Sequence, residues 1–409
     1  MTRPARAVIT AVYQATFPKT PDWAEGPLPF EYGDVRAGAD ERSTYYPPRT
    51  ARLLYGSTGR PRRWHKLLDL RTGGVEIQGM EAVCLREEPG AHGLVIVHLK
   101  TVDAHPLDVV RALARRRGTR LDGFDPRELV DEQAVLDAAV SYTLSFVTQR
   151  GRWFPRLYRH LRYARWSSAD QWLWALASRT NVADHPPDPR QLPIPQNTGP
   201  SGFDFVRLSA DWRGLVLRDG LSLVGCRPDE GPRDPFYNHA ELYFHSIYLD
   251  AVLIGVLQLQ GISDLEDALV SALDAPFASA MAELERRVTL FRHELWWQHL
   301  STHGVPNQLL GAYQRQHRLR ERFEQVLTEI SDYNRLTRDD EKRYVNNALV
   351  LFTLVTVPAG LALALLQALG SHSPWMFGIV LAACLVFTAA LLTTRTARVV
   401  LRSVRKRFR

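Results

Sequence analysis

Two stretches near the C-terminus, Ala348–Gly370 and Pro374–Thr394, contain no charged side chain. A helix needs roughly 20 apolar residues to span ~30 Å of hydrocarbon, and each stretch is long enough. A soluble hairpin of this composition would be apolar all round and would need a large surrounding core. The basic residues after Thr394 do not supply one, so the pattern predicts two transmembrane helices joined by a very short turn at Gly370, Ser371 and His372.

The flanking charges give an orientation. Lys342 and Arg343 precede the first run, Arg395, Arg398, Arg402, Arg405, Lys406, Arg407 and Arg409 follow the second, and the turn has neither Lys nor Arg. The positive-inside rule then places both termini in the cytoplasm and the turn outside, in a cell inner membrane. The helical spacing of the basic tail suits a helix lying on anionic lipid.

The same tail explains the net charge of +7. Without its seven basic residues the chain holds 44 basic and 44 acidic residues, so the body is neutral. A nucleic-acid-binding domain would show a basic face in its body, and none is expected here. Three cysteines without metal-finger or CxxC spacing point to a reducing compartment. Phosphate-loop, dinucleotide and hydrolase motifs are missing, so the sequence predicts no enzyme, no cofactor and no metal site.

Ahead of the membrane runs, the pattern predicts an α+β cytoplasmic domain followed by a long helical stalk. Residues 1–180 read as an α/β region. "GVEIQGMEAVCLREEPGAHGLVIVHLK" gives two strands joined at Pro89-Gly90, "PLDVVRALARRR" a helix and "PRELVDEQAVLDAAVSYTLSFV" a second helix. "RGRWFPRLYRHLRYARWSSADQWLWALASRT" reads as an amphipathic helix with packed aromatics and solvated arginines. Residues 181–202 form a Pro-rich linker, and 203–234 a β meander with turns at Trp212-Arg213-Gly214 and Asp219-Gly220.

Residues 235–345 read as the stalk. "ELYFHSIYLDAVLIGVLQLQGI" is very apolar, but Asp250, Gln258 and Gln260 interrupt it, so it is expected to be a buried helix and not a third span. Met281, Leu284, Val288, Phe291 and Leu295 form one helical seam, and Leu319, Phe323, Val326, Ile330 and Tyr333 a second. With no breaker between Leu309 and Asn347, that second helix would extend about 55 Å at 1.5 Å per residue.

A cytoplasmic α/β domain, a stalk, the proline-containing run "NNALVLFTLVTVPAGLALALL", a short turn, a second span and a basic tail resemble the CorA-like family of divalent-cation transporters. The resemblance covers mainly residues 240–409 and implies an oligomer with the first span lining a pore. Gly370-Ser371-His372 stands where that family carries Gly-Met-Asn, so its filter residues are not carried over. In length, α/β start and terminal hairpin the chain is also similar to actinobacterial CATRA conflict-system proteins, which accompany caspase-like and repeat proteins. The 46 Arg against 5 Lys are compatible with a GC-rich genome.

Within the first run Asn346, Thr353, Gly360 and Gln367 recur every seven residues, with Thr356 beside them. Small and polar residues of a membrane helix face protein or water, so this stripe is a pore wall or a helix–helix interface. The sequence therefore predicts an oligomeric inner-membrane protein whose cytoplasmic domain controls a pore or a membrane-perturbing effector. A membrane-anchored sensor or adaptor without ion conduction is the alternative. The expected partners are the lipid bilayer, further copies of the chain and a cytoplasmic protein.

Overall fold

A computed structural model describes residues 4–333 apart from 33–34, 86–90, 115–124, 126, 131, 138, 152–153, 165, 181–184, 188–203, 275–276 and 298. Beyond these it describes 335, 349, 356, 360, 363, 364, 367, 375, 378–380, 382, 383 and 386. The chain divides into two compact units, Met1–Glu324 and Gln325–Arg409.

The first unit is built on one mixed sheet. Its main strands are β1 (Arg6–Phe17), β2 (Arg63–Thr72), β3 (Val75–Cys84), β4 (Ala91–Thr101), β5 (Tyr142–Gln149), β6 (Asp204–Arg207), β7 (Trp212–Val216) and β8 (Gly220–Pro228). Their spatial order is β6-β7-β8-β5-β1-β4-β3-β2, with Ala24–Glu25 on the β2 edge and Val135–Leu136 beside β1. Every pair is antiparallel except β5 and β8, which run parallel. Gly73 and Gly74, both at positive φ (56° and 76°), close the two-residue hairpin between β2 and β3. A turn with both central residues left-handed matches the strand twist and favours glycine at each.

Alternation along the central strands sends side chains to two covered faces. On one face Ile9, Ala11 and Tyr13 of β1 join a core with helices Pro106–Leu113 and Ser168–Ala177. The opposite face receives a continuous helical run from Pro235. It comprises Pro235–Tyr243, a π-helical turn Phe244–Tyr248 and the helix Leu249–Asp274. Phe146 of β5 meets Tyr237 and Phe244 of this run, at ring separations of 6.3 and 5.9 Å.

This run is the buried helix expected from the sequence. Among the described residues Pro235–Ala272 is long and apolar enough to cross a membrane, yet 89% of its most apolar stretch is buried inside the protein. Gln258 shows why the polar interruptions matter. Its Nε2 donates to the carbonyls of Leu295 and Trp297 (2.7 and 3.2 Å), and its Oε1 accepts from Gln314 Nε2 at 2.8 Å. These bonds tie the core helix to the chain that follows helix Phe277–Glu294 and to helix Gly304–Gln316. At Gly255 an added Cβ would lie 2.5 Å from the Tyr313 ring, so glycine permits that helix contact.

Several expectations are corrected. Residues 126–147 are not one helix. Among the described residues of this stretch only Arg127–Val130 is helical, and Tyr142–Gln149 is a strand buried along its whole length between β1 and β8. Tyr142, Leu144 and Phe146 alternate with Thr143 and Ser145 at the period of a strand, and both sets are buried because both faces of the sheet are covered. In 151–180 Phe154, Tyr163, Trp166, Trp172 and Trp174 are packed as expected, but among the described residues only Ser168–Ala177 is an α-helix. Trp212-Arg213-Gly214 lies inside β7 and is not a turn. The meander is antiparallel as expected, and β8 joins it to the main sheet through β5.

The stalk helix is also interrupted. Helix Gly304–Gln316 stops at His317 and Arg318, where Arg318 adopts φ 50°, and helix resumes over 319–333. His317 stacks on Tyr313 with ring centroids 4.3 Å apart. The seam residues Met281, Leu284, Val288, Phe291, Leu295, Leu319 and Phe323 are buried, and the Phe291 and Phe323 rings meet at 5.1 Å.

Candidate functional site

The most unusual chemistry of the first unit lies between the sheet and the apolar helical run. Thr10 of β1, His98 of β4, Glu81 of β3 and Arg63 of β2 occupy neighbouring strands, with Thr10 and His98 directly paired. Across from them the π-helical turn carries His245, and the first turn of helix Leu249–Asp274 carries Asp250. A π turn shifts the helical register, and such turns often occur at functional positions. Arg42, Tyr46 and Tyr55 enter from helices Ala39–Ser43 and Pro48–Tyr55 and the residues around them.

Arg63 joins the two carboxylates. Its Nε donates to Glu81 Oε2 and its Nη1 to Asp250 Oδ1, both at 2.5 Å. Tyr55 Oη donates to Asp250 Oδ2 at 2.6 Å, and Arg42 Nη1 stands 3.6 Å from Asp250 Oδ1. Arg42 is itself fixed by the carbonyls of Ala37 and Leu28, at 2.9 and 2.8 Å. The six ionisable side chains, Arg42, Arg63, Glu81, His98, His245 and Asp250, are each 0–1% exposed. Two guanidiniums against two carboxylates leave the set neutral when both imidazoles are neutral.

Hydrogen-bond geometry assigns the tautomers. His98 Nε2 donates to Glu81 Oε1 at 2.8 Å, so its Nδ1 is an acceptor. His245 Nδ1 lies 3.1 Å from that nitrogen and must donate to it. This leaves His245 Nε2 a bare, buried acceptor without a hydrogen-bond partner. Phe30 stacks on the His245 ring, 4.2 Å away and 11° from parallel.

Titration follows from burial and this pairing. Burial lowers the pKa of His98 despite the opposing pull of Glu81, and burial next to His98 drives that of His245 well below the ordinary imidazole value. Burial alone would raise the Glu81 carboxyl, but Arg63 and His98 outweigh it and hold it well below the usual range. Burial, then the neighbouring Asp250, raises the Tyr46 and Tyr55 phenols far above normal. The arrangement is therefore a sealed latch. It fixes the position of an otherwise apolar helix, and protonating its imidazoles works against the fold.

No protein-family model, no curated protein and no solved structure matches the chain. The functional reading consequently rests on the chain's own geometry.

The residues singled out from the sequence are placed in part. Thr356, Gly360 and Gln367 are helical and exposed, and their spacings of four and seven keep them on one helical stripe. Asn346, Thr353, Gly370, Ser371 and His372 lie outside the described residues, as do Arg395, Arg398, Arg402, Arg405, Lys406, Arg407 and Arg409. Sequence reasoning missed the latch. Its one visible sign was Asp250, a carboxylate inside an apolar helix. Among the described residues no group of three or more His, Cys, Asp or Glu side chains is placed to hold a metal ion.

Proposed function

We propose that the chain is an oligomeric inner-membrane protein of CorA-like organisation, in which a latched cytoplasmic sheet domain controls a pore built from residues 348–370. The observation that carries the membrane reading is the surface of the second unit. Its described residues Leu349, Leu363, Trp375, Ile379 and Val386 are helical and 54–80% exposed. Large apolar side chains repeated along uncharged helical turns suit hydrocarbon and not water. Thr356, Gly360 and Gln367 share one helical face with Leu349 and Leu363, and these small and polar side chains support a helix-packed or wet stretch within that face.

The break at His317–Arg318 favours a second reading, a membrane-anchored adaptor, because it interrupts the continuous stalk that a rigid transmission would use. Substituting Gln367 discriminates the two. In a pore, Gln367→Leu replaces a polar ring with an apolar constriction that gates by dewetting. Conductance of the chain in liposomes is expected to fall at least about tenfold with insertion and oligomer size unchanged. In an adaptor no conductance exists to lose, and the loss of an interhelical hydrogen bond of about 0.6–2 kcal/mol shows only in oligomerisation. A wild-type chain that is inserted and oligomeric but carries no current excludes the pore.

A further inference from the structure

A cleft of about 550 Å³ opens where β5 and β8, the parallel pair, both end. Its walls include Gln149 at the end of β5, Cys226 and Arg227 near the end of β8, Arg213 of β7, Arg156, and Ser168 at the start of helix Ser168–Ala177. Between β5 and the parallel β8 the chain passes through helix Ser168–Ala177 and then β6 and β7, so the helix lies in the crossover connection. Ligands of α/β sheets bind outside the carboxyl ends of such strands, against the helix N-terminus. The backbone N–H groups of Ser168 and Ala169 occupy the first turn, where a helix offers no internal acceptor and the dipole favours an anion.

Two side-chain observations point independently to a ligand. Three arginines converge on one cleft. Arg227 is held by the buried Asp234 at 2.6 Å, with Asp211 at 3.8 Å, and Arg213 lies 3.5 Å from Asp170. These carboxylates orient two of the guanidiniums, whereas Arg156 is exposed with no carboxylate within ion-pair distance among the described residues. The second observation is Gln149. Gln149 lines the cleft, the residue is 7% exposed, and its Oε1 is buried without a hydrogen-bond partner among the described residues. An amide can present either end, so Gln149 can donate to an oxyanion or accept from a hydroxyl. Phe154 adds an apolar wall.

We propose that this cleft binds a phosphorylated small molecule of nucleotide size. Its phosphate meets Arg156, Arg213 and the first N–H groups of the helix, its polar groups meet Gln149, and its apolar part lies on Phe154. The inference goes beyond the membrane reading and survives its failure.

Cys226 is exposed at the cleft and provides the readout. The full chain in detergent is alkylated with N-ethylmaleimide, and the rate at Cys226 is followed by peptide-resolved mass spectrometry. The probes are ATP, pyrophosphate, inorganic phosphate and phosphatidate in mixed micelles of the same detergent. Labelling tracks the unoccupied fraction, so ATP at ten times its Kd is expected to slow it about tenfold. Arg156→Glu is expected to weaken ATP protection at least about tenfold, measured against that variant's own ATP-free labelling rate, with the melting temperature unchanged. Arg156→Lys should restore part of the affinity. The proposal is overturned if no soluble phosphate slows labelling at millimolar concentration, or if protection is equal in Arg156→Glu. Protection by phosphatidate alone assigns the site to a lipid headgroup and refutes a soluble ligand. Protection by inorganic phosphate as strong as that by ATP refutes the assigned size.

Discussion

Asp250→Leu is expected to destabilise the first unit by about 3–5 kcal/mol, because it leaves Arg63 and Arg42 buried without their shared carboxylate. Tyr55 loses its acceptor in the same step. Urea unfolding of the full chain in detergent reads this directly as a lower midpoint. Arg63→Met should cost a similar amount by stranding Glu81 and Asp250, and the two changes together should cost less than their sum. Additive losses would show that the pair does not act as a unit. The substitution also removes the one charge from residues 249–262, so the variant should partition into membranes through a segment that is normally core.

Acidification is the second large effect. His98 and His245 bind protons less readily folded than unfolded, so the unfolded chain takes up more protons once the pH falls below the ordinary imidazole value of 6.5. Their contribution to stability is complete above that value and is lost as the pH falls towards their depressed native pKa values. Each contributes a slope of about 1.4 kcal/mol per pH unit in that window, so the pair gives roughly 2.7 kcal/mol per unit. His105 and His317 act in the same direction, His317 with its pKa lowered to about 4 by burial. Below pH 4.5 the depressed Glu81 adds a further loss of the same sign. In His245→Phe, whose ring can keep the stack on Phe30, the slope should fall by about one proton equivalent. An unchanged slope in that variant would mean that His245 is not held neutral by the fold.

What the sequence made legible, and what it hid, follows from the range of the interactions involved. The pair β3 and β4 was readable because β-branched residues crowd Val75–Cys84 and Ala91–Thr101. The buried character of residues 241–262 was readable because Asp250, Gln258 and Gln260 cannot face lipid cheaply. β5 carried a strand signal, since Tyr142, Leu144 and Phe146 alternate with Thr143 and Ser145, but the helix-favouring residues before it drew the stretch into a helical reading. The latch was hidden for another reason. Arg63 and Asp250 are 187 residues apart and His98 and His245 are 147 apart, and no local pattern announces such partners. The break at Arg318 has no glycine or proline to signal it. In the second unit Leu349, Thr356, Gly360, Gln367, Trp375 and Ile379 of the two uncharged runs are helical, and the turn and the basic flanks lie outside the described residues. The seven-residue polar stripe is placed only at Thr356, Gly360 and Gln367.

The central claim is that the chain is held in a membrane by residues 348–394 and not by its other long apolar helix. Alkaline carbonate extraction of membranes, comparing the full chain with a chain ending at residue 345, tests it most directly. The full chain is predicted to stay in the pellet, and the shortened chain, which keeps Pro235–Ala272 with its buried Asp250, to leave for the supernatant. A shortened chain that remains in the pellet, or a full chain that is extracted, would contradict the account.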